Sequence, residues 1–238
     1  MASRMVNPKI FEDLQTRVDQ DSQIQKDLKE TVSTLEKQGK STHAILSRAH
    51  STIPSEKVLS VTSSAEASIR NEIDTISRLA ESASKHPYYK WNNIWSRHVQ
   101  DTIFGILFCG WLGGFDGVDG EGKQGRLLTI EQVGAAMKVP VNLEDRDAFH
   151  ITIEEYLQAL ISLIDELARL ARNSVTLGDN LLPLKISQFI KDVHAGFQIL
   201  NLKNDSLRRR SDGIKYRVKE VEDVVYDLSL RNLVPNEP

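Results

Sequence analysis

An all-α, single-domain bundle of about seven helices is what this sequence predicts, and three observations carry the prediction. Apolar residues recur at spacings of three and four along nearly the whole chain, stretches alternating with a period of two are few, and two threonines open apolar runs with a glutamine or glutamate three residues on. The 238 residues suffice for a substantial core. No internal repeat or composition break divides them, so one helical domain over 1–238 with short flexible termini is expected.

Phe11, Leu14, Val18, Ile24, Leu28, Val32 and Leu35 mark a first helix that runs to about Ser51, with Pro54 beyond it. Val58, Val61, Ala65, Ile69, Ile73, Ile76 and Ala80 step along a second, which His86-Pro87 ends because the residue before proline disfavours the α region. Pro87 opens a third helix to about Leu112, carrying Trp91, Trp95, Val99, Ile103 and Ile106. Residues Gly113–Gly125 then hold six of the thirteen glycines and read as a flexible surface loop.

Thr129 with Gln132 forms a capping box, with Leu128 and Val133 as its hydrophobic staple, for a short helix ending before Pro140. Thr152 with Glu155 repeats the device for a long helix through Leu157, Leu160, Ile161, Ile164, Leu167 and Ala171. Pro183 starts another, through Ile186, Ile190, Val193 and Phe197. A last helix runs from about Asn204 to near Arg231. Leu200, Leu207, Ile214, Val221 and Leu228 recur every seven residues there, with Val218 and Val225 between them. Asn201, Asn204, Asp205 and Ser206 are cap and turn formers, so this register spans a break between two helices and the seam is partly coincidence.

Composition narrows the functional classes. Hydrophobic content of 40% and charged content of 26% are those of an ordinary soluble protein. The net charge is −3, so any surface for phosphate must be a local patch. The longest apolar stretch, Ile103–Leu112, is too short to span a bilayer, and the N-terminal residues lack an apolar signal core. The lone Cys109 reads as a small core residue. None of the six histidines pairs with another His or Cys at metal-ligand spacing. Gly117-x-x-x-x-Gly122-Lys123 approaches a phosphate loop, but Gln124 stands where Ser or Thr should be and acids surround it.

Positive charge gathers in two places. Lys203, Arg210 and Arg217 repeat at seven, thickened by Arg208, Arg209, Lys215 and Lys219. Arg208-Arg209-Arg210 at the start of a long helix would oppose its macrodipole, which calls for an external anion or an acidic neighbour. Tyr88, Tyr89, Lys90, Trp91, Trp95, Arg97 and His98 mix aromatic and cationic groups as single-strand platforms do, although Trp91 and Trp95, four apart, also fit a core face.

The segments NLKNDSLRRR (Asn201–Arg210), KYRVKEVEDVVYDLSLR (Lys215–Arg231) and ARNSVTLGD (Ala171–Asp179) resemble the C-terminal signature of the translin/trax family, on its translin side, and a weaker likeness extends from about Ile10 to Arg231. The resemblance implies a subunit that binds RNA and single-stranded DNA. It would form a closed homo-oligomer, octameric in the family, in cytoplasm and nucleus without membrane association. With a trax partner it would form an endoribonuclease for small RNAs and tRNA fragments, this chain being scaffold and RNA grip. Lys90, Arg97, His98, Arg208, Arg209, Arg210 and Arg217 are then the candidate contacts. Lys90 matches the family's first basic position, whereas Asn92, Ile94 and Ser96 depart from it and Arg97 and His98 stand nearby. VTLGD (Val175–Asp179), associated in the family with nucleotide, has one glycine and reads as a helix end.

Catalysis is the remaining question. Trax carries four metal-binding acids on two helices. This sequence keeps Asp101 and Glu166 at two matching positions but has Phe104 and Ser162 at the others. The expectation is therefore no cofactor for this chain and Mg2+ in the complex with trax. Two alternatives stand beside it, that the chain is itself a metal-dependent endoribonuclease or that it is a purely structural helical adaptor.

Overall fold

Each amphipathic run closes on its neighbours as a helix in the structure, a computed structural model that describes residues 7–52, 55–115, 124–203 and 205–234. The elements are α1 (Pro8–Leu46), α2 (Ser55–Ala83), α3 (Tyr88–Trp91), α4 (Ser96–Trp111), α5 (Ile130–Met137), α6 (Ile153–Thr176), α7 (Leu182–Ile199), α8 (Ser206–Ser211) and α9 (Ile214–Leu230). Short 3₁₀ turns at Ser47–Ser51 and Asn92–Ile94 join some of them. Among the described residues the only β-type pairing is an isolated parallel bridge between Val141 and Ile151, and no helix is long and apolar enough to cross a membrane.

Helix ends follow the local chemistry. Asn7 caps α1 by accepting from the Lys9 amide at 3.0 Å. Both expected capping boxes form, at Thr129/Gln132 and Thr152/Glu155, and Leu128 and Val133 are buried as their staple requires. VTLGD is indeed a helix end: Gly178 takes φ 86° and the Asp179 amide donates back to the Ser174 carbonyl at 2.9 Å. The Asp179 carboxylate then accepts from the Leu181 and Leu182 amides, at 3.1 and 3.0 Å, and so starts α7.

Three expected elements differ. The first helix stops at Leu46 and continues as a 3₁₀ turn, while Pro54 lies outside the described residues. The third is broken at Asn92–Ile94, where the backbone opens at Trp91 (φ −122°) and Trp95 (φ −113°), and both rings are buried on either side of the break. The last is two helices separated by Asp212 and Gly213. It begins at Ser206 behind an Asp205 cap, and Asn204 lies outside the described residues. The sevenfold seam survives that break. Leu207, Ile214, Val221 and Leu228 are all buried, because a two-residue joint preserves helical phase, whereas Leu200 is 41% exposed.

α4 and α6 form the centre. α4 packs on α1, α2 and α6, while α6 also takes α7, α8 and α9, and one contiguous apolar cluster runs through all of these layers. Close approach in α4 depends on small residues: a Cβ on Gly110 would lie 2.7 Å from the buried Leu128 Cδ1. Cys109 is fully buried and its thiol is pushed up to about 12 by burial, which removes it as a nucleophile. The ends of the glycine-rich loop are tied down, with the Phe115 amide donating to Glu66 and the Gly125 amide to the Trp111 carbonyl, each at 2.8 Å. Residues 116–123, which include the phosphate-loop lookalike, lie outside the described residues.

Glu72 is the one carboxylate sealed inside the layer of α1, α2 and α4, bonded to the hydroxyls of Thr42 and, at 2.6 Å, Thr102. Burial raises its proton affinity, with those two hydroxyls working the other way. A carboxyl raised on folding stabilises most fully below its unfolded pKa, about 4.3, and that contribution is lost as pH rises through the folded value. Glu72→Gln should therefore melt higher than the parent above that range, with the gap closing toward pH 4 in circular-dichroism melts. Gly110→Ala should lose about 1–3 kcal/mol in urea unfolding, since the buried Leu128 side chain would have to shift to clear the new methyl.

Candidate nucleic-acid interface

The arginines of the C-terminal run do two different jobs. Asp205 accepts from the Leu207 and Arg208 amides at 3.0 and 3.2 Å and opens a helix only six residues long. Arg208, Arg209 and Arg210 thus occupy the last turn of their own helix, where cations suit the macrodipole, which corrects the expectation of an opposed dipole. Arg210 turns inward. Its Nη1 donates to the Gln158 carbonyl (3.3 Å) and Gln158 Oε1 (2.7 Å), and its Nη2 to Ser162 Oγ (3.0 Å).

Arg217 is likewise engaged, by Asp165 through Nε at 2.7 Å and by Glu220 through Nη1 at 2.8 Å. Both arginines fasten α8 and α9 to α6, so their expected role as phosphate contacts gives way to a structural one. Arg208 and Arg209 are exposed. Arg208 reaches only the Leu202 carbonyl at 3.4 Å, and Lys203, Lys215 and Lys219 are exposed around them.

The aromatic strip fares differently from its sequence reading. Trp91 and Trp95 are buried, at 7% and 1% exposure, and Tyr88 stacks on His150 with ring centroids 4.4 Å apart. Tyr89, 78% exposed, is the one ring of the strip open for stacking. Lys90 pairs with Asp21 at 2.6 Å and lies over the Trp91 ring, so it ties α3 to α1. Arg97 is exposed and His98 half-buried. They border a cavity of about 550 Å³ shared with Glu36, Lys40, Glu72 and Asp101, in which acids offset their charge.

The two carboxylates have different bonded partners. Asp101 borders that cavity, with His98 Nδ1 4.0 Å away. Glu166 instead meets His50, whose Nε2 lies 2.6 Å from Oε1. The Asn173 amide nitrogen lies 3.0 Å from His50 Nδ1, so the ring is held from both sides. Burial would raise the Glu166 carboxyl, but the His50 bond and the charges of His50 and Arg169 hold it below the usual range. Phe104 fills its position with a ring stacked on Phe108, and Ser162 is bonded to Arg210. Among the described residues no group of three or more His, Cys, Asp or Glu could hold a metal. The residues present therefore do not fit a catalytic cation. Sequence reasoning missed the His50–Glu166–Asn173 clamp, since its members are more than a hundred residues apart and carry no shared spacing.

Two expectations follow for stability. Arg210→Ala should cost about 1.5–3 kcal/mol in denaturant unfolding, the range for hydrogen bonds to a charged group, while Arg209→Ala stays within about 0.5 kcal/mol. A carboxyl lowered on folding contributes stability above its unfolded pKa and loses it as pH falls through the folded value. Glu166→Gln should accordingly lower the melting temperature at pH 7 and converge on the parent in acid.

Known proteins share this architecture. The family model described as "Translin family" matches residues 23–232. Translin of Mus musculus is 34% identical over 226 residues, covering 93% of this chain and 92% of that protein. Translin of Gallus gallus is 44% identical over 146 residues, 61% of this chain and 58% of its own length. Translin-associated protein X of Pongo abelii is 29% identical over 111 residues, 44% of this chain and 38% of that protein. Among solved structures, AfC3PO in complex with duplex RNA superposes with a TM-score of 0.65 at 11% identity, covering 94% of this chain and 99% of that one, a likeness of fold.

Proposed function

The chain belongs to the translin family, and from that premise we propose that it binds RNA and single-stranded DNA as a subunit of a closed oligomer, octameric as the family resemblance implies. The observation that carries this reading is the exposed pair Arg208 and Arg209, free of the α6 partners that hold the half-buried Arg210 and Arg217. Guanidinium groups on a short exposed turn suit phosphate oxygens, and the exposed Lys203, Lys215 and Lys219 extend the same potential. Arg97 and Tyr89 are a second, weaker element of the surface. The proposal covers cytoplasm and nucleus as the sites of action, on family likeness alone.

The similarity to translin-associated protein X and to C3PO structures supports a trax-type partner. In that mixed assembly this chain is scaffold and RNA grip, and the endoribonuclease step with its Mg2+ belongs to the partner. Phe104 and Ser162, standing where the trax side of the family has two further acids, support this division of labour.

The double variant Arg208→Glu/Arg209→Glu should bind single-stranded RNA at least tenfold more weakly, and its plot of log affinity against log salt should flatten by about 1.4, since each lost phosphate contact removes about 0.7. An unchanged salt slope in fluorescence-anisotropy titrations would overturn the contact assignment. The purified homo-oligomer should leave single-stranded RNA uncut in magnesium. Cleavage that disappears in Asp101→Asn would transfer the catalytic role to this chain.

A further inference from the structure

The N-terminal third of α1 has no packing partner among the described residues of its own chain. From Lys9 to Gln20 every residue is exposed, and the first tie to the bundle is the Asp21–Lys90 pair. At 1.5 Å per residue, about 20 Å of helix projects freely. It carries an apolar stripe, with Ile10 52%, Phe11 63%, Leu14 50% and Val18 57% exposed. A helix of this length is marginal in water by propensity alone. The family-model match begins at residue 23, after this arm.

A matching groove lies elsewhere on the molecule. Leu157 and Leu160 of α6 and Phe189, Val193 and Phe197 of α7 line an apolar trough of about 410 Å³ whose floor includes Gly196. A glycine inside a helix costs about 1 kcal/mol relative to alanine. Packing within the chain gives no reason for it, because a Cβ built on Gly196 meets nothing within 4 Å. Close approach by another helix would require a small residue at that point. Segment 116–123, DGVDGEGK, offers a single apolar side chain and does not match the trough.

We propose that the arm of one copy docks antiparallel to α7 in the Gly196 groove of a second copy. Phe11, Leu14 and Val18 fall at helix positions i, i+3 and i+7 and span about 10 Å, against about 12 Å between Phe189 and Phe197. Net charge favours one direction: Glu12 and Asp13 against Lys9 leave the tip acidic, and Arg208 and Lys215 against Asp212 leave the cavity that continues from Phe197 basic. Head-to-tail docking of this kind is heterologous and propagates around a closed oligomer. The inference rests on the oligomeric reading above and adds to it the surface that joins the copies.

The buried Cys109 leaves the chain free of reactive thiols, so introduced cysteines report cleanly. Leu14→Cys mixed with Gly196→Cys should give, under mild oxidation, disulfide-linked species at twice the 26.8 kDa chain mass, and the double variant should give longer ladders. Linked dimers from Leu14→Cys alone would overturn the proposal in favour of arm-to-arm pairing. Absence of linkage while light scattering still shows an oligomer would overturn the docking site and leave the oligomeric reading standing. A monomer by light scattering would overturn both.

Discussion

The polar side of α6 is the constraint on which the rest of the structure depends. Gln158, Ser162, Asp165, Glu166 and Asn173 lie along the helix that α4, α7, α8 and α9 all pack on; Gln158 is buried and Ser162, Glu166 and Asn173 are half-buried, and polar groups withdrawn from water must find partners. They find them in distant parts of the chain. Arg210 serves Gln158 and Ser162, Arg217 serves Asp165, and His50 sits between Glu166 and Asn173. The turn after α1 and the two C-terminal helices are thereby fixed to one element.

That arrangement decides which charges face outward. Arg208, Arg209 and Arg210 are identical residues in a row, yet a helix turns by 100° per residue, so only the third meets α6. The two left in solvent are those available to an anion. The same packing engages Glu166, whose carboxylate meets the His50 ring at 2.6 Å and is flanked by Arg169.

The opposite end of the bundle is organised by close approach. α1, α2 and α4 come together around Gly105, which faces Thr42 and Ile69, and around Glu72, held by two threonine hydroxyls. Where α1 leaves this layer it keeps its apolar pattern without anything to pack on. Amphipathicity continued past the last intramolecular contact is what an oligomer-forming helix requires.

By itself the sequence determined the helical class, the order of the helices and several of their ends. Apolar spacing and capping are local properties, so Thr129, Thr152 and VTLGD could be read directly and were found as read. The seven-residue seam was legible for the same reason, although its persistence through the Asp212-Gly213 joint was not. Family likeness was visible in the wording of the C-terminal segments. The candidate site was legible only as a pool of arginines, aromatics and acids. Tertiary structure decided which of them are engaged, because the partners of Arg210, Arg217, Lys90 and Glu166 lie roughly fifty to more than a hundred residues away, apart from the nearby Glu220 and Arg169. Such pairings follow from how helices pack, and no local spacing encodes them.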